Sequence, residues 1–143
     1  MKRFDFSLER LLSLRIFYEK EAEIALQRAT GERDIVKLEI KNIDAKVLES
    51  SQLFSQDLSV VDLLAIENYV KGLKIKKLRL QEELIKLEKV VRECLLKYQD
   101  ASKNRKILDK LKEKKFKEWK DDLNKEEMMI IDEIVSSKFA MQS

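Results

Sequence analysis

Apolar residues recur every three or four positions along two long stretches of the chain. In the first stretch the apolar stripe runs through Ala22, Leu26, Ala29, Arg33, Val36, Ile40, Ile43 and Val47. All of these positions except Arg33 are apolar. A period of three and four residues is typical of one face of an α-helix and not of a β-strand. The pattern therefore predicts a long amphipathic helix.

The beginning of this helix is less regular. Ser7 is expected to be its N-cap, because serine accepts hydrogen bonds from the free amides of a first turn, and Glu9 follows there. The stripe is then expected to start at Leu8, Leu11, Arg15, Tyr18 and Ala22. Two consecutive steps of four, from position 18 to position 26, predict a local relaxation of the supercoil.

The second stretch is the more regular of the two. Ser59 precedes it, with Asp62 three residues later, which is a capping signal. Its stripe runs through Leu63, Ile66, Val70, Leu73, Lys77, Leu80, Leu84, Leu87, Val91, Cys94, Tyr98 and Ala101. Steps of three and four alternate without interruption, and Lys77 alone breaks the apolar series. A heptad sustained over this length predicts a coiled coil.

A break near residues 49–59 separates the two stretches. We predict an all-α fold, a long two-helix antiparallel coiled coil with unequal arms and a C-terminal helical overhang. The first helix is placed at about 7–50, the turn at about 51–59 and the second helix at about 60–138, within one domain spanning 1–143. At 1.5 Å per residue the arms are roughly 65 Å and 115 Å long. About 35 residues of the second arm would extend beyond the first.

Composition supports this interpretation. The chain has no proline, charged residues make up 40% of it and aromatic residues 7%. Such a composition with helical periodicity is typical of coiled coils, and an apolar fraction of 44% is too high for a disordered chain. The first residues contain no continuous apolar run. We therefore expect no secretory signal and no transmembrane span, and a cytoplasmic protein.

The expected overhang carries its charge in two blocks. Residues 103–120 contain nine basic and three acidic side chains, and residues 121–133 contain six acidic and one basic. A solvated helix face with local ion pairs is the simplest interpretation. A protein partner with acidic loops is the second, and nucleic acid or an anionic membrane is the third. Glu113 and Glu118 interrupt the basic block and count against the third.

No arrangement of catalytic residues is found. The chain has no histidine, which removes the commonest general base and metal ligand. Cys94 lies on the apolar stripe, where a packed thiol is expected. No glycine-rich phosphate loop is present. We expect a non-catalytic protein that needs no cofactor and no metal, and that acts by docking to partners.

Several short motifs occur in a fixed order: Phe4-x-Phe6-x-Leu8-x-x-Leu11-Leu12-x-Leu14-Arg15, Glu19-Lys20-Glu21-Ala22-Glu23-x-Ala25, Glu67-Asn68-Tyr69-Val70-x-Gly72-Leu73, Leu108-x-Lys110-Leu111-x-Glu113-Lys114 and Asp132-Glu133. Coiled coils imitate one another, so each motif alone is degenerate. Together, in order, spacing and total length, they resemble the FliJ family of flagellar export proteins. The resemblance covers nearly the whole chain.

The resemblance implies a component of the flagellar type III protein export apparatus, and with it a role in flagellum biogenesis, motility and chemotaxis. Such a protein resembles the central stalk of a rotary ATPase. It binds and stimulates the hexameric export ATPase, links the ATPase to the cytoplasmic domain of the export gate, and acts as an export chaperone that handles substrate-specific chaperones. It would be cytoplasmic and peripheral at the inner membrane, without inserting into the membrane and without binding nucleic acid.

The resemblance also suggests contact residues. Candidates for the ATPase side are Phe4, Leu8, Leu11, Arg15, Lys112, Lys115, Trp119, Asp132 and Glu133. Candidates for the gate side, toward the turn, are Asn42, Leu53, Tyr69 and Leu73. For Leu8, Leu11, Leu73 and Trp119, packing between the helices is at least an equal explanation. Tyr69 lies beside the stripe, which favours a contact role.

Other classes of protein stay open on the sequence alone. One is a generic coiled-coil scaffold. Another is the stalk of a vacuolar-type rotary ATPase or of a virulence type III secretion system, although rotary stalks are longer and carry a globular insertion. A nucleic-acid binder would show steep salt dependence. An enzyme is the least supported class.

Overall fold

The computed structural model describes residues 3–142, with the side chain of residue 142 left out, and contains two α-helices. Helix α1 spans Glu9–Leu53 and helix α2 spans Val60–Gln142, with 45 and 83 residues. Residues 3–8 precede α1 as a non-helical segment, and residues 54–59 form the loop between the helices. No strand occurs in the described range. The all-α fold of two long helices packed against each other is confirmed.

The two helices begin in different ways. At α2 the predicted cap is confirmed, because the Ser59 hydroxyl accepts a hydrogen bond from the Asp62 amide at 3.2 Å. At α1 the first helical bond runs from the Leu12 amide to the Leu8 carbonyl, 2.9 Å. Ser7 lies one residue too early to be this cap. A turn closed by the Glu9 amide on the Phe6 carbonyl, 3.0 Å, leads into the helix instead.

The chain divides into two compact units. The middle unit is Lys20–Gln99, and the terminal unit comprises the described residues up to Glu19 and those from Asp100 onward. Each unit contains a segment of α1 and a segment of α2, and each has its own small core.

In the middle unit the core consists of Val36, Ile43 and Leu80. Half-buried apolar side chains pack against it from both helices, namely Ile40, Val47, Leu73, Leu84 and Leu87. Lys77 also lies in this interface, with its ammonium 2.6 Å from the Asp44 carboxylate. Its long aliphatic stem and a salt bridge at the edge explain how a lysine fits an otherwise apolar series.

In the terminal unit the core consists of Phe6, Leu12 and Leu108, with Phe4 and Leu111 packed against it. Glu9 contacts Lys112, and Glu19 contacts Arg105. As residue numbers rise along α1, the residues contacted in α2 have lower and lower numbers. The two helix segments are therefore antiparallel.

We call the half-buried face between the helices the seam. Every position predicted for it from Ala22 to Val47, and from Leu63 to Ala101, is buried or half-buried. The predicted relaxation near position 18 is wrong. Tyr18 is 53% exposed, and Glu19 takes the seam position instead. The predicted start of the stripe at Leu8 and Leu11 is also wrong, because both are exposed and Leu12 is buried in the core of the terminal unit. The seam positions of α1 therefore step from 15 to 19 to 22 to 26, and three and four alternate without a stutter.

Two neighbouring leucines of α2 provide a test of the register. Leu80 is 8% exposed and belongs to the middle core, whereas Leu78 is 62% exposed. Leu80→Ala should lower the free energy of unfolding by about 2–4 kcal/mol because it removes buried methyl groups and leaves a cavity. Leu78→Ala should change it by less than about 0.5 kcal/mol. Urea unfolding followed by circular dichroism measures both, and equal losses would show that the register is wrong.

Candidate partner-binding site

Three aromatic rings hold the N-terminal segment of residues 3–8 against α2. The Phe4 ring meets the Phe116 ring edge-on, with centroids 5.2 Å apart, and lies 5.9 Å from the Trp119 ring. Phe116 and Trp119 are stacked at 5.8 Å. Aromatic pairs at these distances attract each other beyond the area they bury. The segment is thus anchored although it makes no helix of its own.

Charged side chains occupy the seam of the terminal unit. Arg15 donates a hydrogen bond from Nη1 to the Asn104 carbonyl, 2.8 Å, and the Lys112 ammonium lies 2.9 Å from the Glu9 carboxylate. Arg105 donates hydrogen bonds to Glu19 and Asp109. The bond to Glu19, and next the bond to Asp109, raises the pKa of Arg105 above its usual value. Both carboxylates thus favour the charged form of this guanidinium.

These contacts explain why the apolar rhythm weakens after Ala101. Arg105, Leu108 and Lys112 continue the spacing of the seam, and all three are buried or half-buried. The heptad geometry therefore persists to Lys112, but ion pairs replace apolar contacts at two of its positions. In the sequence, Arg105 and Lys112 are visible only as interruptions of the apolar series, and their ion pairs across the seam are not.

Beyond Leu123, α2 exposes its surface to solvent. All residues from 124 to 141 are exposed, and we call them the C-terminal segment. Its large apolar side chains are each more than half exposed: Met128, Met129, Ile130, Ile131, Ile134, Val135, Phe139 and Met141. Exposed apolar surface on this scale marks an interaction site in a soluble protein.

The apolar side chains of the C-terminal segment point in more than one direction. Met128, Ile131, Val135 and Phe139 follow one another at steps of three and four and share one face. Ile130 and Ile134 are four apart, and the centre of the face that they share lies roughly 125° from the centre of the first face. Two apolar faces on one helix need a partner that covers a wide arc.

The exposed acids Asp132 and Glu133 interrupt this apolar surface. They line a shallow groove together with Met129, Ser136 and Ser137. They lie nine and ten residues before the end of α2 at Gln142, beyond the last turn to which the effect of the helix dipole is confined. A partner that covers the apolar surface would have to supply donors or cations for these two carboxylates.

Nothing in the described part of the chain indicates a catalytic or metal centre. No group of three or more potential metal-ligating side chains comes together among these residues. None of the described helices combines the length and the apolar character needed to cross a membrane.

A family model, the flagellar FliJ protein, matches residues 4–143. The chain belongs to the FliJ family. It is accordingly a non-catalytic component of the flagellar type III export system. No curated protein and no solved structure matches the chain significantly.

The nine ATPase-side candidates of this FliJ-family chain all lie in the terminal unit. Four of them are half-buried and make contacts between the N-terminal part of the unit and α2: Phe4, Arg15, Lys112 and Trp119. The other five are exposed: Leu8, Leu11, Lys115, Asp132 and Glu133. Phe4 and Lys112 line one groove, together with Phe116. Asp132 follows Trp119 along α2 by roughly 20 Å, so the set does not form one compact site.

The four gate-side candidates lie in the middle unit. Asn42, Leu53 and Tyr69 are exposed, the last two by 41% and 52%. Leu73 is half-buried and packs against the middle core, so it supports the seam.

Two groups of exposed apolar residues are absent from the sequence-based candidates. One is the apolar set of the C-terminal segment, which the run Met128-Met129-Ile130-Ile131 signals. The other consists of Phe54, Val60 and Val61 at the loop, exposed by 47%, 72% and 75%. For this second group, the sequence does contain a signal: apolar residues occur in or next to the break between the two helical patterns, where no seam would bury them.

Removal of the C-terminal segment should leave the rest of the protein intact. Truncation after Leu123 should change the free energy of unfolding by less than about 0.5 kcal/mol, because none of the cores loses a contact. The emission of Trp119, the single tryptophan, should keep its wavelength. Truncation after Ala101 is the control and should unfold the terminal unit, since Leu108 and the aromatic rings are lost. A clear loss of stability on truncation after Leu123 would mean that the segment packs against the protein.

The pair formed by Glu19 and Arg105 should be replaceable by apolar residues. Arg105→Leu should destabilise the protein by on the order of 1 kcal/mol, because it leaves the half-buried Glu19 carboxylate without its cation. The double variant Glu19→Leu with Arg105→Leu should be at least as stable as the parent, since both seam positions become apolar. Lys71→Leu, which breaks only an exposed pair with Glu67, is the control and should have little effect. A double variant clearly less stable than the parent would contradict this account.

Proposed function

We propose that this FliJ-family protein is a stalk that binds and stimulates the hexameric flagellar export ATPase through its C-terminal segment. The observation that carries the proposal is an exposed apolar surface with two faces, formed within the C-terminal segment by Met128, Ile130, Ile131, Ile134, Val135 and Phe139. A flat partner would cover one face and leave the other in water. The inside of a ring encloses a helix from several sides, and the segment is about 10–12 Å wide with its side chains.

The energy available to such a contact is large. Complete burial of one isoleucine, methionine or phenylalanine side chain contributes about 1.5–3 kcal/mol. Eight large apolar side chains of the segment are more than half exposed. Only part of that energy appears as affinity, because association costs translational and rotational freedom. Enclosure of a few of these side chains is still enough for a stable complex.

The ATPase-side candidates take two roles in this proposal. Leu8, Leu11, Lys115, Asp132 and Glu133 are exposed and would touch the ring. Phe4, Arg15, Lys112 and Trp119 are held within the terminal unit, and they would keep the base of the segment rigid. A rigid base transmits force or orientation better than a flexible linker.

The middle unit would carry the second contact, with the cytoplasmic domain of the export gate. Asn42, Leu53 and Tyr69 offer exposed side chains for it, and Leu73 would support them from the seam. The exposed Phe54, Val60 and Val61 at the loop enlarge this apolar surface. The proposal has two further parts. The protein would handle substrate-specific export chaperones, and the export apparatus would hold it at the cytoplasmic face of the inner membrane.

The first test is a pull-down of the export ATPase from the same organism, with ATP hydrolysis and ring size followed as this protein is added. The parent should bind, raise hydrolysis and favour the hexamer. The double variant Ile131→Asp with Phe139→Asp should bind at least about tenfold more weakly, because it places charge on an apolar contact surface.

A matched control distinguishes the site from a general effect of exposed aspartates. Ile85 and Leu96 lie in the middle unit and are 67% and 65% exposed. Ile85→Asp with Leu96→Asp should bind and stimulate like the parent. Absence of binding by the parent, or full activity of the Ile131 and Phe139 variant, would refute the proposed ring contact.

A further inference from the structure

A line of exposed lysines runs along α2 in the terminal unit. Lys103, Lys106, Lys110, Lys114 and Lys117 follow one another at steps of three, four, four and three, and all are exposed. We call them the lysine stripe. At 100° per residue they fall within an arc of about 80° and extend over roughly 21 Å. They therefore form a straight row on one face of the helix.

The lysine stripe lies on the side of α2 away from the seam. Arg105, Leu108 and Lys112 face the N-terminal segment and α1, and they alternate with the stripe along the sequence. Rotation by 100° per residue places the two sets on opposite sides of the helix. The stripe is thus free for a partner without any change in the packing of the terminal unit.

The charges of the stripe are unpaired. The basic residues of this region that form ion pairs are Arg105, Lys112 and Lys115, and none of them belongs to the stripe. No salt bridge joins a stripe lysine to any described carboxylate. Glu113 borders the stripe without pairing to it. Five like charges at neighbouring positions repel one another by a few tenths of a kcal/mol per pair, which an anionic partner would relieve.

We propose that the lysine stripe is a docking site for an acidic helix of a partner protein, laid lengthwise along α2. The argument is the complementarity of charge and spacing. A helix with carboxylates at steps of three and four presents a straight acidic row of the same pitch. This surface is separate from the C-terminal segment and does not depend on the ring contact.

Other anionic partners fit the stripe less well. Phe116 lies between Lys114 and Lys117 in the sequence, but it lies outside the arc of the stripe and packs against the rings of Phe4 and Trp119. No aromatic side chain shares the arc of the five lysines, so bases of a single-stranded nucleic acid have no surface there on which to stack. Asp121 and Asp122 lie about one turn beyond the last lysine of the stripe and would repel a phosphate backbone or an anionic membrane that continued along the helix. An acidic helix that ends there meets no such repulsion.

The test uses the full chain and two labelled, helix-stapled peptides of about 20 residues. One peptide carries five glutamates at steps of three and four on one face. The other has the same composition with the glutamates distributed around the helix. Fluorescence anisotropy should give at least about tenfold tighter binding for the first peptide, and this binding should weaken as salt rises.

Two matched variants locate the binding surface. Replacement of all five stripe lysines by glutamine should reduce binding of the first peptide to the level of the second. The control variant replaces five exposed lysines of the middle unit by glutamine: Lys37, Lys41, Lys74, Lys76 and Lys86. It changes the net charge by the same amount and should preserve binding of the first peptide. Both variants should keep the parent's helical content, because none of these side chains is buried.

Three results would overturn the proposal. One is equal binding of the two peptides, which would indicate unspecific attraction of charge. Another is equal loss of binding in both lysine variants. The last is stripe-dependent binding of an oligothymidylate or of phosphatidylglycerol vesicles without binding of the first peptide, which would assign the stripe to phosphate.

Discussion

A helix packed against one other helix can bury only one narrow face, and both units of this protein depend on that constraint. No side chain in the described range is completely buried, and the cores contain a few residues each. Stability has to come from repetition of small seam contacts over many turns. The remaining faces stay in water, so every function of the chain is a function of its exposed helix surfaces.

The two units meet this constraint with different chemistry. Leucine, isoleucine and valine dominate the seam of the middle unit, whereas Arg15, Glu19, Arg105 and Lys112 occupy seam positions in the terminal unit. Charged pairs add less stability than apolar contacts, but they specify the register, because a shift of one heptad would separate each cation from its carboxylate. The aromatic contacts of Phe4 then anchor the N-terminal segment to α2.

Within the terminal unit the packed part and the two surfaces proposed for docking are separate. The ion pairs and aromatic rings extend to Trp119, the C-terminal segment beyond Leu123 is exposed, and the lysine stripe lies opposite the seam. A FliJ-family protein built in this way can change its partner contacts without a change in its core. This separation also allows surface variants to be interpreted as effects on binding.

The residue pattern alone predicts the two helices, the seam from Ala22 to Val47 and from Leu63 to Ala101, the Ser59 cap and the family resemblance. These features follow from short-range periodicity and local hydrogen bonding, which neighbouring residues specify. Only the tertiary structure showed that Glu19 replaces Tyr18 on the seam, that a buried Phe6 precedes α1 in place of a Ser7 cap, and that Arg105 belongs to the seam. Each of these depends on a contact between residues far apart in the chain: Glu19 with Arg105, and Phe6 with Leu108. Local periodicity carries no information about such a partner, so the packing of the two helices decides it.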